Sequence, residues 1–243
     1  MKSYLYPVLL LGIIDSDWFY FIGMIGTIAF AISGVAIAVK DNTTLFGTFL
    51  FAMVPSVGGI VMRDVLINRE EMGLFLNPSY MYYIIAVVLV GFFFIRLLEY
   101  YNEKANEDAA VAKFWENVLV IGDALGQSAF IVTGVVIVII SRIEPVELWG
   151  PFFAFLTASG GGIIRDLLRK DHQILCLNGT LNAELSIIWG IIFSIYLDIN
   201  SYDPDPVGIR DAVVLVVIGA FVTRLMAYYF QIPNLRFRAV GKE

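Results

Sequence analysis

Seven runs of mostly apolar residues fill this chain, at about residues 18–39, 44–67, 80–98, 117–140, 148–168, 181–199 and 212–230. A run of about 20 such residues is long enough to cross a bilayer as a helix. In lipid every backbone amide must find its partner inside the protein, which leaves only helices and closed barrels. The runs are continuous, unlike the alternating segments of about ten residues that build a barrel. The sequence therefore predicts an all-α membrane protein with seven transmembrane helices, forming one transmembrane domain over residues 1–243. Charged residues make up 16% of the chain, against about 25% in a soluble domain, so little is left for a separate soluble unit. A net charge of −6 argues against a nucleic-acid partner and leaves membrane lipids as the expected surroundings. The only cysteine, Cys176, excludes an intrachain disulfide; with the only histidine, His172, it cannot build a His/Cys metal centre, and no cofactor is expected. The segment Met1 to Ile14 is apolar but short and lacks a small-x-small cleavage site, so it is not expected to be a signal peptide.

Within these runs one motif occurs twice. Gly58-Gly59-Ile60-Val61-Met62-Arg63-Asp64 in the second run matches Gly160-Gly161-Gly162-Ile163-Ile164-Arg165-Asp166 in the fifth, at an offset of 102 residues. Residues 26–34 match residues 126–134 without gaps at an offset of 100, which aligns Phe30 with Phe130 and Ser33 with Thr133. Two collinear matches define a repeat, about 18–98 and about 117–199, with the seventh run left over. Three spans per unit is an odd number, so the copies lie in opposite orientations, related by a pseudo-two-fold axis in the membrane plane. Lysines and arginines outside the spans number nine on the C-terminal side and four on the N-terminal side. That bias places the C-terminus in the cytoplasm and the N-terminus outside, in a cell (inner or plasma) membrane.

Each glycine run, the first with Pro55 nearby, has two readings. Small residues let membrane helices approach closely; glycines also break a helix and free backbone groups to face a cavity. The doubled occurrence favours the break, at matching points of a transport path. Arg63 and Arg165 either snorkel from span ends or line that path, paired with carbonyls or with Asp64 and Asp166 as gates. Asp123 lies inside the fourth run, where a carboxylate is costly unless it faces water. Ser33 and Thr133 offer hydroxyls either to a cation or to the preceding helical turn. Arg224 in the seventh run reads as a snorkelling or interhelical partner, and Phe30 and Phe130 as core packing or a constriction. No nucleophile–base pair, phosphate loop or dinucleotide loop is present, so no enzyme is expected.

On these residues the chain resembles the trimeric intracellular cation (TRIC) channel family, in its prokaryotic branch. The doubled glycine-rich Arg-Asp motif is the most specific part of the resemblance, which covers most of the chain. It implies a homotrimer with a pore through each protomer, conducting K+ and Na+, and kinked second and fifth helices at Gly58-Gly59 and Gly160-Gly161-Gly162. Two departures stand out: Ile60 occupies the place of a third glycine, and the Lys-Glu-Val motif of animal members is absent, the stretch reading Lys113-Phe-Trp-Glu116-Asn-Val. Bacterial relatives have also been described as glycine transporters, so a secondary transporter of a small amino acid, moving it by alternating access, is the alternative.

Overall fold

The structure, a computed structural model, describes residues 12, 16–70, 72–101, 109–169, 180–201 and 205–234. Residues 1–11 and 13–15, residues 102–108 of the polar stretch after the third run, His172, Cys176, Asp203, Pro204 and the basic tail lie outside the described residues. Among the described residues there are seven long helices: α1 Asp17–Lys40, α2 Leu45–Leu66, α3 Ser79–Tyr101, α4 Ala109–Ile140, α5 Val146–Leu168, α6 Ala183–Ile199 and α7 Pro206–Tyr229. One further helical turn, Gly73–Leu76, precedes α3. Among the described residues there is no strand, only an isolated bridge between Thr180 and Pro233.

Five helices (α1, α2, α3, α4 and α7) are long and apolar enough to cross a membrane by themselves. The other two differ from the seven equal spans read from sequence for separate reasons. Helix α5 carries Pro151, Gly150, three consecutive glycines, Arg165 and Asp166, which dilute its apolar surface. Helix α6 has 17 residues, about 25 Å of helix against a hydrocarbon core of about 30 Å. Both pack within the bundle. Phe153 and Ala154 of α5 and Phe193 and Leu197 of α6 are buried, whereas α3 and α7 turn Val90, Phe93, Leu215 and Ile218 outward, as lipid-facing helices must.

The internal repeat is visible contact by contact. Helices α1 and α4 cross at the centre, with Phe30 and Phe130 edge to face at 5.3 Å between ring centroids. Each then packs on the next helix through a glycine. A Cβ on Gly34 would lie 2.1 Å from the Phe51 carbonyl oxygen, and one on Gly134 would lie 2.5 Å from that of Phe153. Phe51 and Phe153 are themselves repeat partners. Both α1 and α4 end in the same turn, with Asn42 (φ 48°) and Arg142 (φ 56°) in the left-handed region. The close approach to backbone leaves no side chain able to swing away, so Gly34→Ala and Gly134→Ala should each destabilise the protein by about 1–3 kcal/mol, and by similar amounts. Unfolding of the purified variants in detergent measures this; alanine tolerated at one site but not its partner would contradict the two-fold relation.

Caps place the helix starts. The Thr44 hydroxyl accepts from the Gly47 amide at 3.2 Å at the start of α2, and Asp205 accepts from the amides of Val207 and Gly208 at 3.0 Å ahead of Pro206 in α7.

Candidate functional site

Helices α2 and α5 cross at the doubled motif, and neither is interrupted there. Both run as continuous α-helix through their glycines. The expected breaks at Gly58-Gly59 and Gly160-Gly161-Gly162 are close-packing surfaces instead. A Cβ on Gly59 would lie 2.1 Å from the Thr157 carbonyl oxygen. One on Gly161 would lie 2.7 Å from the carbonyl oxygens of Pro55 and Val54, and one on Gly58 3.2 Å from Gly161 Cα. Thr157 and Pro55 are repeat partners, so the pseudo-two-fold axis runs through this crossing. The remaining glycines are less constrained: Gly160 faces the Met62 sulfur, and nothing lies within 4 Å of a Cβ on Gly162 except Arg165 Nη2, at 4.0 Å.

A cavity opens on each side of the bundle centre, and the repeat relates their walls. The cavity on the side of the α1 N-terminus has a volume of about 450 Å³; Gly23, Ile60, Arg63, Tyr80, Phe130 and Thr133 lie in its wall, with Asp17 and Arg69. Opposite, a space of only about 20 Å³ is walled by Asp123, Gly162, Arg165, Asn182 and Phe30, with Gln127, Ser159 and Asp166. Phe130 of the first wall and Phe30 of the second are the edge-to-face central rings, so the aromatic pair separates the two spaces.

In the small cavity Arg165, 1% exposed, holds two carboxylates. Its Nη1 and Nη2 donate to the two oxygens of Asp123 at 2.9 and 3.1 Å, a bidentate pair. Its Nε donates to Asp166 Oδ1 at 3.1 Å. The Ser33 hydroxyl donates to Asp123 and accepts from Arg165 Nη1 at 3.0 Å, which ties α1, α4 and α5 together. Burying an arginine is tolerated because every side of the guanidinium meets a charge or a hydroxyl. The sequence points to Asp166 as a partner and to Asp123 as a pathway carboxylate, but does not join Asp123 to Arg165, 42 residues away in the chain. It also missed Gln127, whose amide donates to the Asn182 carbonyl at 2.9 Å and to the Ser186 hydroxyl at 2.7 Å, fastening α4 to the start of α6. Gln127 stands four residues after Asp123, on the same face of α4, and that spacing was the available signal.

In the large cavity Arg63, 5% exposed, donates from Nε to Asp64 Oδ1 at 2.8 Å, and its Nη2 lies 2.7 Å from the same oxygen. Asp64 also accepts from the Gly73 amide at 2.8 Å, which anchors the turn before α3. Thr133 lines this space but spends its hydroxyl proton on the Phe130 carbonyl at 3.0 Å. Arg224 is buried and donates to the Leu181 carbonyl at 2.6 Å and to Thr180 at 2.9 Å, which ties α7 to the segment just before α6. The C-terminal ends of α1 and α5 are joined by Arg169 and Asp41, with Nη2 2.7 Å from Oδ1.

Fold and site together define a helical membrane protein built from two inverted three-helix repeats, with an arginine-lined cavity on each side of the Phe30–Phe130 pair. The profile of a family described as "Glycine transporter" matches residues 20–96 and 120–197, the two repeats, and the chain belongs to that family. It is 26% identical over 224 residues to the UPF0126 membrane protein YvgT of Bacillus subtilis, covering 89% of this chain and 96% of that one. It is 25% identical over 229 residues to the UPF0126 inner membrane protein YadS of Escherichia coli K12, covering 92% and 99%. Among solved structures, a TRIC cation channel superposes with a TM-score of 0.72 at 22% identity, covering 91% of this chain and 98% of that chain. The TRIC trimeric intracellular cation channel orthologue from Rhodobacter sphaeroides superposes with a TM-score of 0.70 at 23% identity, covering 88% and 99%. The resemblance read from the doubled motif is thus matched by the fold: this chain has the fold of the TRIC channels.

Proposed function

We propose that the protein is a passive channel for monovalent cations, K+ and Na+, with one pore through each protomer between the inverted repeats. The observation that carries this reading is the pair of repeat-related cavities on the two sides of the Phe30–Phe130 rings, in a chain with the fold of cation channels. Ions would enter the large cavity, pass the Phe30–Phe130 rings and leave beside Asp123. The conformation described is closed there, because the Asp123–Arg165 pair and Ser33 fill the second cavity. Arg165 has a second partner in Asp166, so it can swing from Asp123 without losing a counter-charge. Asp123 would then face the path as a free carboxylate and favour cations. Carbonyls and hydroxyls along such a path replace only part of the hydration shell, so discrimination between K+ and Na+ should be weak.

The solved relatives are trimeric channels, which supports a homotrimer in the membrane for this chain as well. The nine-to-four excess of Lys and Arg supports a cell membrane orientation with the large cavity and N-terminus outside and the C-terminus in the cytoplasm.

The family description favours a second reading, a secondary transporter of a small amino acid such as glycine. Proteoliposomes separate the two. A channel releases trapped K+ at a rate that does not saturate with solute and that glycine leaves unchanged. A transporter takes up labelled glycine saturably and passes no K+ by itself; that result would replace the channel reading.

A further inference from the structure

The two cavities differ at one repeat position in a way that defines a ligand. Position 123 in α4 carries the aspartate that neutralises Arg165; its partner in α1, 100 residues earlier, is Gly23. Both residues line their cavities, beside repeat-related arginines, Arg165 and Arg63. In the second half the protein supplies a carboxylate and the cavity shrinks to about 20 Å³. In the first half that carboxylate is missing and about 450 Å³ stays open. The arginine in the open half keeps only part of its twin's bonding. Arg165 binds Asp123 through both Nη atoms and Asp166 through Nε. Among the described residues Arg63 engages Asp64 alone, through Nε and Nη2. Its side chain is 6% exposed, and the guanidinium lies at the wall of the cavity.

The geometry points to a binding site for a small monocarboxylate in the large cavity, held by Arg63 where Asp123 would stand if the halves were identical. A planar guanidinium with Nη1 uncommitted suits a carboxylate oxygen. Arg69, its Nη1 3.9 Å from Asp64 Oδ2, adds positive charge at the same wall. The Tyr80 hydroxyl, which a Cβ on Gly23 would approach to 2.9 Å, supplies a donor beside the vacant position. Nothing in this inference requires ion conduction, so it stands or falls separately from the channel reading.

The test is equilibrium binding to the full-length protein in detergent. It is read as a ligand-dependent rise in the unfolding midpoint and as a change in tyrosine and tryptophan fluorescence. Potassium acetate is compared with acetamide, which has its shape without its charge, and with KCl at equal ionic strength. Acetate should raise the midpoint in a saturable way, as expected for a ligand of the native state, and the other two should not. Gly23→Asp returns the internal carboxylate and should weaken acetate binding about tenfold or more, because a charged hydrogen-bond partner is replaced by an intramolecular one. The aspartate has a flexible neighbour in Tyr80 and an open cavity to enter, so the variant should fold, and Gly23→Asn controls for bulk by keeping more of the acetate response. Equal responses to acetate, acetamide and KCl would overturn the proposal, and so would wild-type acetate affinity in Gly23→Asp.

Discussion

Asp123→Ala should cost about 3 kcal/mol of stability, the largest effect expected of any single polar substitution in this protein. The change removes both bonds from Arg165 and the one from Ser33 while the guanidinium stays buried. Removing one member of a buried pair leaves the other uncompensated, at a cost of about 3–5 kcal/mol. Asp166 remains beside Arg165 and the Asp123 side chain is 14% exposed, so the low end applies. Asp123→Asn keeps an acceptor but not the charge and should lose about half as much. Chemical unfolding in detergent micelles reads the difference. In a bilayer the same variants should stay open longer, because the contact that fills the second cavity is gone. An Asp123→Ala protein as stable as the wild type, with unchanged open times, would remove this pair from both the fold and the gate.

The second large effect is a contrast inside one glycine run. Gly161→Ala drives a methyl group against the backbone of α2, where the carbonyl oxygens of Pro55 and Val54 cannot move aside. A loss of about 2 kcal/mol or more is expected, with reduced flux, since α2 and α5 must separate to accept it. Gly59→Ala, closer still to the Thr157 carbonyl, should do at least as much. Gly162→Ala meets only Arg165 Nη2, at 4.0 Å, and removes a glycine from a helix interior, which is worth up to about 1 kcal/mol in the other direction. It should be neutral or slightly stabilising. Equal losses at Gly161 and Gly162 would mean that the run works by local flexibility, as a helix break, rather than by contact.

That contrast also marks where the sequence misleads. A helix break and a helix crossing both demand residues without a Cβ, so Gly58-Gly59 and Gly160-Gly161-Gly162 look the same for either purpose. The choice depends on what stands opposite. Here it is the carbonyls of the partner helix, and those appear only once α2 and α5 are placed together. The repeat itself was legible because gapless identities at offsets of 100 and 102 fix the pairing of helices before any contact is known. It gave Phe30 and Phe130 equivalent places, and Arg63 and Arg165 equivalent places beside Asp64 and Asp166; that the two rings meet is seen only in the structure. The departures from symmetry carried the site, and a search for matches passes over them. Asp123 facing Gly23 across the repeat makes one cavity closed and the other open, and Ile60 facing Gly162 is a second such difference. Ser33 and Thr133 match in sequence yet differ in role: Ser33 bonds the ion pair, whereas Thr133 bonds its own helix. The pairing of Asp123 with Arg165 needed tertiary structure, since the local rule joins Arg165 to its neighbour Asp166 and gives no reason to look 42 residues back.

Cation conduction is tested most directly by recording current through the purified protein in a planar bilayer under a KCl gradient. A channel of this kind gives discrete steps that reverse near the K+ equilibrium potential, persist when Na+ replaces K+, and lengthen in Asp123→Asn. Steps reversing toward the Cl− potential, or no current from protein that takes up glycine saturably in liposomes, would contradict it.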